Sequence, residues 1–170
     1  IRDRNSTRLD GELLYQIISQ RPDYSFVFTG PEDDGFRQHR IHSLKNAYFT
    51  GQKKVDELPA YITAYDVCIN PQMVNDITDG NYPLKIDEYL AMGKPTVATS
   101  THTMRHIFAD HTHLATNPEE WLSAIDRAVT EADDKELAKQ RIAFAETHSW
   151  GHSVKKIYGI IDNFLKEKAT

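Results

Sequence analysis

The chain has 170 residues, 39% of them hydrophobic and 26% charged, a balance that builds one ordinary domain around a single core and excludes wholesale disorder. A formal net charge of -5 supplies no global positive field for a polyanion, so no nucleic-acid partner is expected. No apolar run approaches the roughly 20 residues that span a bilayer, and the first residues, Ile1-Arg2-Asp3-Arg4-Asn5, lack the apolar core of a signal peptide. The lone cysteine, Cys68, lies between Val67 and Ile69 and reads as a buried thiol in a reducing compartment, which makes a soluble cytoplasmic protein the expectation.

Leu9 to Gln20 carries Leu9, Leu13, Leu14, Ile17 and Ile18 at helical spacing, and Arg21-Pro22-Asp23 ends it. Ser25 to Thr29 follows as a short strand stopped by Gly30-Pro31, and a polar, irregular stretch runs to His42. Ala47 to Thr50 is a second strand, closed by Gly51. Val55 to Tyr65 is helical by its stripe of Leu58, Tyr61, Ile62 and Tyr65, and Val67 to Pro71 is an apolar strand. Pro83 to Met92 reads as a helix with Pro83 at its first position; Gly93-Lys94-Pro95 then turns the chain into the strand Thr96 to Thr99. After a polar loop the last third is helical: Glu119 to Glu131, Lys135 to Thr147, and Ser153 to Lys168 with Ile157, Ile160, Ile161 and Phe164 as its stripe.

Strands alternating with helices predict an α/β domain: a Rossmann-like, doubly wound parallel sheet with helices on both faces and a helical C-terminal third. Ligands of such sheets lie at the carboxyl ends of the strands. Ile1 stands immediately before the first polar loop, where this architecture needs a central strand. The expectation is therefore a single domain, 1–170, that is a fragment lacking its first strand.

The segment Asn70 to Thr99 carries the chemistry. With Pro83 at the first helical position, the N–H groups of Leu84 and Lys85 are expected to face the crevice with the positive end of the helix dipole, an anion site to which Lys85 adds a cation. Glu88 lies three residues on, one turn away on the same face, where a carboxylate accepts hydrogen bonds from two vicinal hydroxyls, as a ribose presents. Phosphate and then sugar is the order of a nucleotide.

The run Pro83-Leu84-Lys85-Ile86-Asp87-Glu88-Tyr89-Leu90-Ala91-Met92-Gly93-Lys94-Pro95-Thr96-Val97-Ala98-Thr99 resembles the donor-site signature of GT-B glycosyltransferases of the family 4 type. Tyr24 to Pro31, Tyr48 to Gln52, Leu58 to Pro71 and His148-Ser149-Trp150 follow the same family's order, so the likeness covers nearly the whole chain as the C-terminal half of a GT-B fold. The resemblance implies a nucleoside diphosphate sugar as donor, with Glu88 on the ribose and Lys85 with the helix amides on the diphosphate. It also implies Gly51-Gln52-Lys53 beside the base and Arg2 or Arg4 as a second phosphate cation. No cofactor and no metal is implied, because helix amides and Lys85 stabilise the leaving diphosphate. The acceptor would be bound by an N-terminal domain of the same protein, in polysaccharide or glycoconjugate synthesis, with peripheral contact to the inner face of the membrane. Retaining members place a second acid eight residues before the ribose carboxylate; here that position is Gly80, with Asp76 and Asp79 nearby.

Plainer readings stand beside these. Glu88 and Lys85 alone would be surface charges, and Lys94 decorates a helix C-terminus. His102 and His106 share a helical face, yet a zinc site needs a third ligand and a second layer of support, for which Asp110 is the only local acid. Trp121, Trp150, Tyr61 and Tyr65 are expected to pack. The alternatives to a transferase are a non-catalytic nucleotide-sugar sensor, a GT-B sugar-nucleotide epimerase, and a flavodoxin-like interaction domain with no nucleotide affinity.

Overall fold

A computed structural model of the protein describes residues 8–168. Arg2 and Arg4 lie outside the described residues.

The expected α/β alternation is present. Helix α1 (Gly11–Gln20) starts under Asp10, whose carboxylate accepts the Leu13 N–H at 2.9 Å, and it buries Leu14, Ile17 and Ile18. Strands β1 (Phe26–Phe28) and β2 (Ala47–Phe49) pair in parallel, Phe26 opposite Ala47. Between them the chain is not irregular throughout. Asp33 caps a short helix, α2 (Asp34–Arg37), and a 3-10 turn spans Arg40–Ser43, both anchored by buried side chains, Phe36 and Ile41. The stretch after β2 divides into a 3-10 turn, Val55–Glu57, and helix α3 (Leu58–Ala64), with Pro59 in its first turn, where a missing N–H does no harm.

Strands β3 (Cys68–Asn70), β4 (Thr96–Thr99) and β5 (His113–Ala115) form a second parallel sheet in that order, with Cys68 opposite Thr96 and Val97 opposite His113. Strand β5 falls in what the sequence suggests is a polar loop. Its three residues are too few for a pattern, and its one polar side chain is satisfied by an ion pair, His113 Nε2 to Glu131 at 3.0 Å. The pleat sorts side chains onto two faces. Ile69, Val97 and Ala115 join one core with α1 and α5 (Pro118–Thr130), while Cys68, Ala98 and Leu114 join another with α4 (Leu84–Ala91) and α6 (Lys135–Thr147). Trp121 is fully buried in the first of these. Helices thus cover both faces, and β4 is buried at every residue, its two threonines included.

Among the described residues the strands divide into two sheets. Between β1 and β3 lies a cavity of about 400 Å³, lined by Phe26, Val27, Thr29, Tyr65, Cys68 and Ile69 among others. Helix α7 (Trp150–Lys168) has the expected apolar stripe but none of its residues is buried. Trp150, expected to pack, is 84% exposed at the start of that helix.

Two predictions follow from these contacts. Gly93 ends α4 at φ 71° in a Schellman arrangement, with Lys94 N–H on the Tyr89 carbonyl at 3.0 Å and Gly93 N–H on the Leu90 carbonyl at 2.8 Å. A Cβ there would meet Ala138 Cβ at 3.1 Å, so Gly93→Ala is expected to lower stability by about 1–3 kcal/mol in urea denaturation. Arg21 binds Asp126 through two hydrogen bonds of 2.6 and 2.9 Å, and that guanidinium holds the carboxyl below its ordinary range. A depressed carboxyl stabilises the fold above its unfolded pKa and ceases to do so as pH falls through the folded value. Asp126→Asn should therefore cost no more than about 1 kcal/mol at neutral pH, the pair being partly exposed, and the difference should begin to shrink below about pH 4 and vanish once pH has fallen through the depressed folded value.

Candidate functional site

Strand β3 ends at Asn70, and the chain reaches α4 through residues 71–83. This loop is internally bonded. Asn75 Oδ1 accepts the N–H groups of Ile77 and Thr78 at 3.0 and 3.1 Å, and the buried Thr78 hydroxyl donates to the Met73 carbonyl. Its ends are tied to the sheet: Thr99 Oγ1 donates to the Gln72 carbonyl and accepts the Gln72 N–H, both at 2.9 Å. Asp79 reaches forward and accepts the His102 N–H at 2.7 Å, holding the loop against the helical segment that follows β4.

Helix α4, like α3, starts without a side-chain cap. Asp10, Asp33, Asn117 and Asp134 cap α1, α2, α5 and α6 with side-chain acceptors, whereas the N-cap of α4 is Pro83, which has none. The expectation for this residue needs correction, since Pro83 stands one place earlier than the first helical position. Its φ of -88° and ψ of 81° form an inverse γ-turn, which closes the Leu84 N–H onto the Tyr82 carbonyl at 3.2 Å. The Leu84 amide is therefore engaged rather than directed at the crevice, and the Ile86 N–H bonds the Pro83 carbonyl at 2.8 Å. Helix α4 buries Ile86, Tyr89 and Leu90. Lys85 and Glu88, both half-buried, share the adjoining face one turn apart.

The loop after β2 holds the other predicted residues. Gly51, at φ 74°, accepts the Gly30 N–H on its carbonyl at 3.0 Å, joining the loops that leave β1 and β2. Gln52 is exposed, and the Lys53 ammonium lies 5.2 Å over the Tyr61 ring. Lys85 and Glu88 thus stand together on α4, while Gly51, Gln52 and Lys53 follow a strand of the other sheet. Both groups leave carboxyl ends of parallel strands. A Cβ at Gly80 would meet open space, so the position has room for the acid it lacks, and Asp76 is exposed. The rings of His102 and His106 lie 4.2 Å apart, and among the described residues no group of three or more His, Cys, Asp or Glu side chains is placed to hold a metal ion.

One polar cluster here escaped the sequence reading. Asp87, in the first turn of α4, accepts the Tyr82 hydroxyl at 2.7 Å on one oxygen and faces His148 Nδ1 at 3.0 Å on the other. Burial, then the hydrogen bond to Asp87 and its charge, push the Tyr82 hydroxyl well above its ordinary range, so it remains a donor. A second hydroxyl chain, Thr50 to Thr29 at 3.1 Å and Thr29 to Tyr65 at 2.7 Å, closes the carboxyl end of β1.

Cys68, 3% exposed on β3, has its thiol pushed up to about 11 by burial. It is expected to resist thiol reagents at pH 8 in the folded protein and to react fully once the protein is unfolded, which a chromogenic disulfide reagent would measure.

The family of glycosyl transferases group 1 matches this chain over residues 12–131. A protein of Bacillus subtilis (strain 168) named as a teichuronic acid biosynthesis glycosyltransferase, TuaH, is 27% identical over 157 residues, covering 88% of this chain and 39% of the relative. Among solved structures, Anabaena HepE in complex with UDP superposes with a TM-score of 0.71 at 15% identity, over 95% of this chain and 48% of that one. WaaG, a glycosyltransferase involved in lipopolysaccharide biosynthesis, gives 0.59 at 14% identity, over 81% of this chain and 39% of its own. The structural likenesses establish the fold, and the chain spans half or less of the length of each of these proteins. Among the described residues no helix is long and apolar enough to cross a membrane.

Proposed function

The chain belongs to the group 1 glycosyl transferases, and from that premise we propose that it is the donor half of an enzyme that moves a hexosyl group from a nucleoside diphosphate sugar to an acceptor hydroxyl. The observation that carries this reading is the placement of the signature segment. It folds as α4, the uncapped helix after β3, with Lys85 and Glu88 on one face. In this reading Glu88 accepts hydrogen bonds from the ribose hydroxyls, and Lys85 with the positive end of the helix dipole takes the diphosphate.

The engaged Leu84 amide fits such a role. The bent bond of an inverse γ-turn is weak, and a phosphate oxygen is a stronger acceptor than the Tyr82 carbonyl, so an arriving diphosphate exchanges one for the other. Charge that develops on the leaving diphosphate meets Lys85 and fixed dipoles, and no metal is required. Gly51, Gln52 and Lys53 flank the base. The family resemblance adds Arg2 or Arg4, outside the described residues, as a second phosphate cation.

An acceptor domain preceding this one completes the enzyme, and closure of the two halves assembles the reacting groups. Polysaccharide or glycoconjugate synthesis at the cytoplasmic face of a membrane is the setting, consistent with the named role of the Bacillus subtilis relative.

Calorimetric titration of the full-length protein with UDP, GDP and ADP in the presence of a chelator tests the proposal. One diphosphate should bind saturably, and Glu88→Ala and Lys85→Ala should each weaken it about tenfold or more, the worth of a hydrogen bond to a charged group. Binding that survives both substitutions unchanged, or that requires a divalent metal, would contradict it.

A further inference from the structure

Asp87 sits where three segments meet. It belongs to α4, one residue before Glu88 and two after Lys85. Its Oδ2 takes the hydroxyl of Tyr82, the residue that opens the turn into α4, and its Oδ1 takes Nδ1 of His148, which closes α6 immediately before α7. The carboxylate is four-fifths buried at 19% side-chain exposure and His148 is at 24%, so water competes little for the bond between them, while the Tyr82 bond lies nearer the surface. Aromatic rings fix the partners: Tyr82 lies 5.5 Å from Phe108, and His148 packs edge-on against Phe144 at 4.5 Å and Phe108 at 5.7 Å.

A carboxylate with both oxygens committed has one orientation, and so do the groups it holds. The Tyr82 tether crosses the inverse γ-turn, spanning the residues that set where Leu84 and Lys85 point. We propose that Asp87, through Tyr82 and His148, is a positioning residue for the nucleoside diphosphate site, holding the turn at Pro83 and the first turn of α4 in the geometry that grips the phosphates. The inference rests on the donor-site reading above. Asp87 touches no ligand in this scheme. What matters is its two hydrogen bonds, and an asparagine can make both: its Oδ1 accepts from Tyr82, and its amide donates to His148 in the other tautomer.

The test is diphosphate titration of the full-length protein, with UDP, GDP and ADP as probes, together with thermal melting of each variant. Tyr82→Phe and Asp87→Ala should raise the Kd of the bound diphosphate about fivefold to tenfold, and Asp87→Asn should stay within about twofold. Leu122→Ala, in the core on the other face of the sheet, should lower the melting temperature without moving the Kd, which separates positioning from loss of stability. Affinities within twofold for Tyr82→Phe and Asp87→Ala would overturn the proposal and leave the donor site standing. Equal losses for Asp87→Ala and Asp87→Asn would overturn it by assigning the effect to charge. An unmodified protein that binds none of the three diphosphates would overturn the donor reading, and this inference with it.

Discussion

The pleat of the β3–β4–β5 sheet is the constraint on which the rest depends. Alternate residues of three short parallel strands face opposite ways, so Ile69, Val97 and Ala115 commit α1 and α5 to one side, and Cys68, Ala98 and Leu114 commit α4 and α6 to the other. A register slip of one residue would exchange the two sets and leave both helix layers facing the wrong residues. Parallel pairing also requires each connection to cross from the carboxyl end of one strand to the start of the next. That requirement is what puts the 71–83 loop and the beginning of α4 at the carboxyl end of β3.

Local chemistry then distinguishes this helix start from those of α1, α2, α5 and α6. Where Asp or Asn stands before a helix, the side chain occupies the first amides and the end is closed. Pro83 provides no such side-chain cap; backbone bonds engage the amides instead, Leu84 N–H on the Tyr82 carbonyl and Ile86 N–H on the Pro83 carbonyl. The loop leading there is nonetheless firm, through Asn75, Thr78, the Thr99–Gln72 pair and the Asp79 bond to His102. A helix end left open beside an ordered loop suits a charged ligand that arrives and departs. In the positioning role proposed for it, the half-buried Asp87 with its Tyr82 and His148 partners keeps that end from relaxing.

Much of this was legible in the sequence because the signals are local. Helical spacing in Leu13 to Ile18, the Gly93-Lys94-Pro95 turn into the strand Thr96 to Thr99 and the Gly93 stop each act within a few residues, and the structure has them in place. Lys85 and Glu88 were legible as a pair for the same reason, since their separation alone puts them on one face. What was missed depends on distant partners. Strand β5 exists through its pairing with β4 and the His113–Glu131 contact, neither visible in three residues. Pro83 fits either the N-cap or the first helical position by composition, and the γ-turn with Tyr82 decides between them. Trp150 and the α7 stripe have the pattern of core residues without a described surface to meet, because pattern reports amphipathicity and not the identity of the covering element. Asp87 and His148 are 61 residues apart, and only the packing of α6 against α4 brings them together.

The central claim is that the start of α4 is where the diphosphate is held, and residue-resolved hydrogen exchange of the full-length protein, with and without saturating nucleoside diphosphate, tests it most directly. The account predicts slowed exchange concentrated at the amides of Leu84, Lys85 and Ile86, with a second zone at Gly51 to Lys53. Protection confined to other loops, with the α4 amides exchanging as before, would contradict it.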